Sequence, residues 1–104
     1  MRRVILESPY AGEVERNTEY ARACMRDCLE RDEAPFVSHL LYTQVLDDKN
    51  PSDRVRGIRA GLVWGEQAEA TVVYTDLGIS SGMEQGIKHA GMCGRPIEYR
   101  TLYG

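Results

Sequence analysis

Val4-Ile5-Leu6-Glu7-Ser8-Pro9-Tyr10-Ala11-Gly12, close to the start of the chain, is the stretch on which the fold turns. Three apolar residues run without alternation and two of them are β-branched, the pattern of a strand buried on both faces. Pro9 and Gly12 end the run. Glu7 closes the strand, and Ser8, Tyr10 and Gly12 follow it. Strands of this type lie in parallel sheets covered by helices, so helical periods should come next.

They do. From Val14 to Arg31, Val14, Ala21, Cys24, Met25 and Cys28 recur at helical spacing, while Glu15, Glu19, Arg22, Arg26 and Glu30 form a solvated charged face. Pro35 then starts a second strand, Phe36 to Leu40, which puts His39 at its end. Tyr42 to Asn50 carries no clear period and is longer than most connections, as functional loops often are. Asn50-Pro51-Ser52-Asp53 is a helix start, with a cap, a proline at the first position and an acid at the positive end of the dipole. Val55, Ile58 and Leu62 form its apolar stripe and Gly65 its stop. Trp64 falls off that stripe and is expected beneath the sheet edge or against another subunit.

Ala70 to Thr75 reads as a third strand, with Asp76 at its carboxyl end. Ser80-Ser81-Gly82 leads into a third helix carrying Met83, Ile87 and Ala90 on one face. Gly94 ends it, and Pro96 begins a last strand, Ile97 to Leu102. The order β-α-β-α-β-α-β predicts an α/β fold, a flavodoxin- or Rossmann-like three-layer sandwich. Its sheet should be short and parallel, with about four strands in the order 2-1-3-4.

The 104 residues are expected to form one domain, 1–104, with room for a real core. An apolar fraction of 42% and a charged fraction of 28% are ordinary for a soluble protein. A net charge of -3, with arginines scattered among acids, argues against a nucleic-acid partner. The apolar run Val4 to Leu6 is too short for a signal segment or a membrane span, so a cytoplasmic location and no membrane association are expected. Cys24, Cys28 and Cys93 are too few and odd in number for a disulfide framework, and the first two suit burial as small apolar residues. His39 and His89 stand apart from that pair, so neither a metal nor a cofactor is expected.

In doubly wound sheets, ligands bind beyond the carboxyl ends of strands where the winding reverses, here between strands one and three. The loops brought together are Glu7 to Gly12 and Asp76 to Ser81. Candidate ligand-binding residues are Ser8, Tyr10 and Gly12 from the first. Ser80, Ser81, Gly82 and Met83 come from the helix start, where free N–H groups favour a phosphate or another anion. His39 near the same edge, with Gln44 and Asp48 of the long loop, completes the set. His39 is alternatively a packed histidine, and the long loop alternatively just hydrophilic. Glu7, Asp76 and Glu84 are the candidate catalytic carboxylates. Asp76 is equally readable as a plain loop residue, and Glu84, three positions after Ser81, as half of a capping box. Neither a dinucleotide glycine motif nor a Walker sequence occurs.

These residues resemble the nucleoside 2-deoxyribosyltransferase-like superfamily, and more closely a group of short bacteriophage proteins. The matching pieces are Glu7-Ser8-Pro9-Tyr10-Ala11-Gly12, Arg16-Asn17, Ser38 to Asp48, Asp76-Leu77-Gly78-Ile79 through Gly82-Met83, and Gly94 to Arg100. The resemblance implies a nucleoside or nucleotide ligand, a homo-oligomer, and chemistry at an N-glycosidic bond. In the enzymes a glycine-led turn enters a helix bearing a nucleophilic glutamate, with alanine four residues later and Gly-Lys-Pro-like residues at the helix end. Setting Ala90, Gly94 and Pro96 on that frame puts Gly86 at the glutamate's position, and Glu84 two residues early, on another side of the helix. Either another carboxylate, Glu7 or Asp76, takes the role, or the chemistry is gone and binding remains. In a phage, binding alone would suit sequestration of a host nucleotide immune signal. An oligomeric interaction module on the same fold is a third possibility.

Overall fold

The structure, a computed structural model, describes residues 1–104. Strand β1 (Arg2–Glu7) is central and pairs in parallel with β2 (Glu33–Phe36) on one side and β3 (Ala70–Tyr74) on the other. Strand β4 (Ile97–Arg100) adds to β3, giving the expected parallel order β2-β1-β3-β4. Helix α1 (Val14–Glu30) covers one face, where Val4 and Leu6 meet Tyr20, Ala21, Cys24 and Cys28 in the core. Helices α3 (Pro51–Gly65) and α4 (Ser81–Met92) cover the other, onto which alternation along β1 turns Ile5 and Glu7.

Most helix boundaries follow their local signals. Asn50 caps α3, its side chain accepting from the amides of Ser52 and Asp53, with Pro51 in the first turn. Helix α3 ends at Gly65 and α4 at Met92. Gly94 then takes a φ of +69°, a conformation glycine adopts without steric cost. In α1 the buried stripe differs from the expected one. Asn17 and Tyr20 are buried and Val14 is exposed, because Asn17 donates its side-chain amide to the carbonyls of Tyr10 and Ala11 and so fastens the loop after β1.

The second strand lies earlier than its sequence suggested. It spans Glu33–Phe36, and Ser38–Leu41 form a short helix, α2, so His39 is helical rather than at a strand end. Proline 35 sits inside the strand, not at its start. That is tolerated because β2 is an edge strand, hydrogen-bonded only to β1. The long connection contains a single 3₁₀ turn, Tyr42–Gln44. The last strand stops at Arg100, short of Leu102.

Beneath α1 the two edge strands are joined through their side chains. Arg100 of β4 donates to both carboxylate oxygens of Glu33 on β2, at 2.8 and 2.7 Å, and Arg2 and Glu98 extend the network. The Arg100 guanidinium holds the Glu33 carboxyl down to about 2, more than offsetting burial, with Arg2 assisting. No helix is long and apolar enough to cross a membrane.

Candidate functional site

The carboxyl end of β1 opens into a cleft of about 120 Å³ between α3 and α4, with α2 at its side. This is close to the roughly 150 Å³ that admits a benzene-sized ring.

Glu7 lies at the centre. Its carboxyl makes no hydrogen bond within the protein, and burial pushes it up to about 8, with only the more distant charge of Arg95 opposing. It rests against α4 at Gly86. A Cβ built there would stand 2.0 Å from Glu7 Oε2 and 2.5 Å from the carboxyl carbon. No side chain at 86 can coexist with this carboxyl in its present place.

Ser8, next along the chain, turns the other way. Its hydroxyl shares a 2.7 Å hydrogen bond with Nε2 of His39, whose ring edge also meets Tyr10 at 6.4 Å between centroids. Burial pushes His39 down to about 4, leaving its imidazole neutral at physiological pH. Tyr10 lines the same cleft.

On the far side is the start of α4. Its cap is Ser80, one residue earlier than expected: Ser80 Oγ accepts from the Met83 amide, and the Ser80 amide donates to the Met83 sulfur, both at 3.3 Å. A methionine thioether thus fills the position that Glu84 was expected to take in a capping box. Glu84 is exposed, outside the cleft, with only the helix dipole as a partner. Ser80, Ser81, Gly82 and Met83 all line the cleft. Arg54 of α3 reaches toward them, its Nη2 lying 3.7 Å from where a Cβ on Gly82 would be, while its Nη1 pairs with Asp48 at 3.3 Å.

The structure therefore gathers Glu7, Ser8, Tyr10, His39 and Asp48 with the Ser80–Met83 turn, and sets Gly12, Gln44, Asp76 and Glu84 apart. Gln44 bonds the Leu40 carbonyl. Asp76 accepts from the Tyr20 hydroxyl at 2.6 Å and from the amides of Leu102 and Tyr103, clipping the tail after β4. Burial pushes its carboxyl up, but these donors outweigh that and hold it below the usual range.

Sequence reading passed over Arg54 and Arg95. Arg95 is buried and lines the cleft, bonding Thr71 at 2.9 Å and the Gly65 carbonyl. No local pattern marks either arginine. For Glu7 there was one available signal: Gly86 stands inside a helix, where glycine costs about 1 kcal/mol relative to alanine. It makes room for the Glu7 side chain.

A family model described as "Domain of unknown function (DUF7768)" matches residues 2–100. No curated protein matches the chain. Among solved structures, the 2-deoxyribosyltransferase from the psychrotolerant bacterium Bacillus psychrosaccharolyticus superposes with a TM-score of 0.67 at 16% identity. The match covers 95% of this chain and 72% of that one. At this identity the likeness is one of fold.

Proposed function

The chain belongs to this family of unknown function, so its role has to be read from the cleft, and we propose that it binds a nucleoside or nucleotide there and acts on the N-glycosidic bond beside Glu7. The observation that carries the reading is the Glu7 carboxyl, free of hydrogen bonds, open to the cleft and seated against Gly86. In the resembled enzymes a glutamate on this helix faces the anomeric carbon. Here the helix offers a glycine at 86, and a carboxyl from β1 rests against it. A phosphate would lie at the α4 start, where free amides and the Arg54 guanidinium converge.

A second reading has its own support. Burial pushes the Glu7 carboxyl up to about 8, which makes it a poor nucleophile, and a cleft with no nucleophile would suit binding without turnover by covalent transfer. That would suit a phage protein that sequesters a host nucleotide signal. Titration calorimetry with nucleosides and their monophosphates, together with chromatography for free base, separates the two. The leading reading expects binding and base release, both weakened in Arg54→Ala for monophosphates only. Binding without base release would leave sequestration. No binding by any of these ligands would remove both. Self-association belongs to the proposal as well, with a second copy covering the outer face of α3.

A further inference from the structure

We infer that Glu7 and the Ser8–His39 pair serve as acid and base of a direct hydrolytic displacement, in which water replaces the base at the anomeric carbon of a nucleoside. The inference rests on the nucleoside reading above and goes beyond it by assigning Ser8 and His39 a proton-transfer role and Glu7 a role other than nucleophile.

The geometry starts from adjacent residues. Consecutive side chains at a strand end point to opposite sides. Glu7 turns to Gly86 of α4, and Ser8 turns to His39 of α2, 2.7 Å away, yet all three line one cleft. A sugar held between them would present one face to the carboxyl and the other to the hydroxyl. Opposed acid and base with room for a water is the arrangement that displacement with inversion requires.

The proton inventory agrees. Burial leaves a proton on Glu7 up to about pH 8 and leaves His39 free to accept one down to about pH 4. Environments that push two groups apart in this way assign them as acid and base. Arg95 is the charged group facing Glu7 and does not pair with it. Around His39, Tyr10 meets the ring edge, and the cleft's other charges, Asp48 and Arg54, are paired with each other.

In the step itself the sugar–base C–N bond breaks and its electron pair leaves with the base nitrogen, which takes the Glu7 proton. The water oxygen bonds to the anomeric carbon. Its proton passes to Ser8 Oγ as the Ser8 proton passes to His39 Nε2. Solvent then removes the proton from His39 and returns one to Glu7. The products are free base and free sugar, or sugar phosphate.

The test uses the full chain with inosine, uridine, the corresponding deoxynucleosides and their monophosphates. Calorimetry reads binding, chromatography reads base release, and proton NMR reads the first-formed anomer of the sugar. The expected result is inversion, from β-nucleoside to α-sugar, with a rate that falls below about pH 4 and above about pH 8. Glu7→Gln should keep binding and lose at least ~100-fold in rate, as should His39→Gln, while Ser8→Ala loses at least ~10-fold. Retention of configuration, or a sugar adduct on Glu7 in mass spectra, would overturn the inference in favour of a nucleophilic carboxylate. Binding without base release would overturn it and leave the binding reading intact. Absence of binding would overturn both. The anomer is read on the unaltered protein, so a variant that fails to fold does not blunt the test.

Discussion

At the residue scale, the contact between Glu7 and Gly86 has consequences for stability as well as chemistry. The folded chain keeps a proton on Glu7 that the unfolded chain loses at its ordinary value of 4.5, up to about pH 8. Between those values the native state binds more protons, so stability falls as pH rises through the window. Glu7→Gln should therefore raise the unfolding midpoint at pH 9 and leave it nearly unchanged at pH 5. An equal shift at both would mean that Glu7 ionises normally. His39 acts at the other end: its stabilising contribution is lost as pH falls from 6.5 toward about 4. Gly86→Ala is a second probe. Its methyl would displace the Glu7 carboxyl, and overpacking of this kind costs about 1–3 kcal/mol. In the Glu7→Ala/Gly86→Ala double variant the obstacle is gone and the gain of alanine over glycine in a helix, up to about 1 kcal/mol, should emerge. Additive effects in that cycle would rule out the direct contact.

At the element scale, short-range chemistry and sheet pairing disagree in two places. Pro35 and His39 looked like the two ends of one strand, but pairing with β1 pulled the strand back to Glu33–Phe36 and left Ser38–Leu41 to form α2. That shift delivers His39 to Ser8. The other place is the tail. Asp76 is a candidate by its place at the carboxyl end of β3, where the winding reverses, yet it holds the tail after β4 through Tyr20, Leu102 and Tyr103. Asp76→Ala should thus destabilise the fold by about 1.5–3 kcal/mol, the range for hydrogen bonds to a charged group. Hydrogen exchange should show lost protection at the amides of Leu102 and Tyr103. An unchanged melting curve with protected amides would contradict this role.

At the scale of the whole molecule, the Glu33–Arg100 pair ties the two edges of the sheet together under α1. Both side chains are almost fully buried, so removing one strands the other. Glu33→Ala should cost about 3–5 kcal/mol, measurable by urea unfolding. A loss below 1 kcal/mol would mean that the arginine finds another partner. The outer face of α3 has the opposite character. Val55 and Val63 are each more than half exposed on it, while Trp64, also more than half exposed, lies on another side of the helix with its ring 5.9 Å from that of Phe36. Apolar groups on one exposed face favour a second copy. Light scattering at high micromolar concentration should give at least a dimer mass, reduced to that of a monomer in Val55→Glu/Val63→Glu. A monomer mass for the unaltered chain would remove this proposal.

Alone, the sequence determined what depends on neighbours along the chain. The apolar run Val4-Ile5-Leu6, the helical periods that follow it, the Asn50-Pro51 start and the Gly94 stop are local, and they were enough for the sheet order and the side of the sheet on which a cleft would open. The approach of Glu7 and Ser8 to a helix start at Ser80 was legible for the same reason, since strand ends and helix starts meet wherever the winding reverses. Tertiary structure alone decided which carboxylates face that cleft. Asp76 and Glu84 carry the same group as Glu7, but hydrogen-bond partners claim the first and helix phase carries the second away. It also decided that Ser8 meets His39 and that Arg54 and Arg95 join them, because all three encounters are between elements distant in sequence. Side-chain identity fixes what a residue can do. Which partner it meets depends on packing, and a carboxyl with no partner, like that of Glu7, is recognisable only after every neighbour has taken its place.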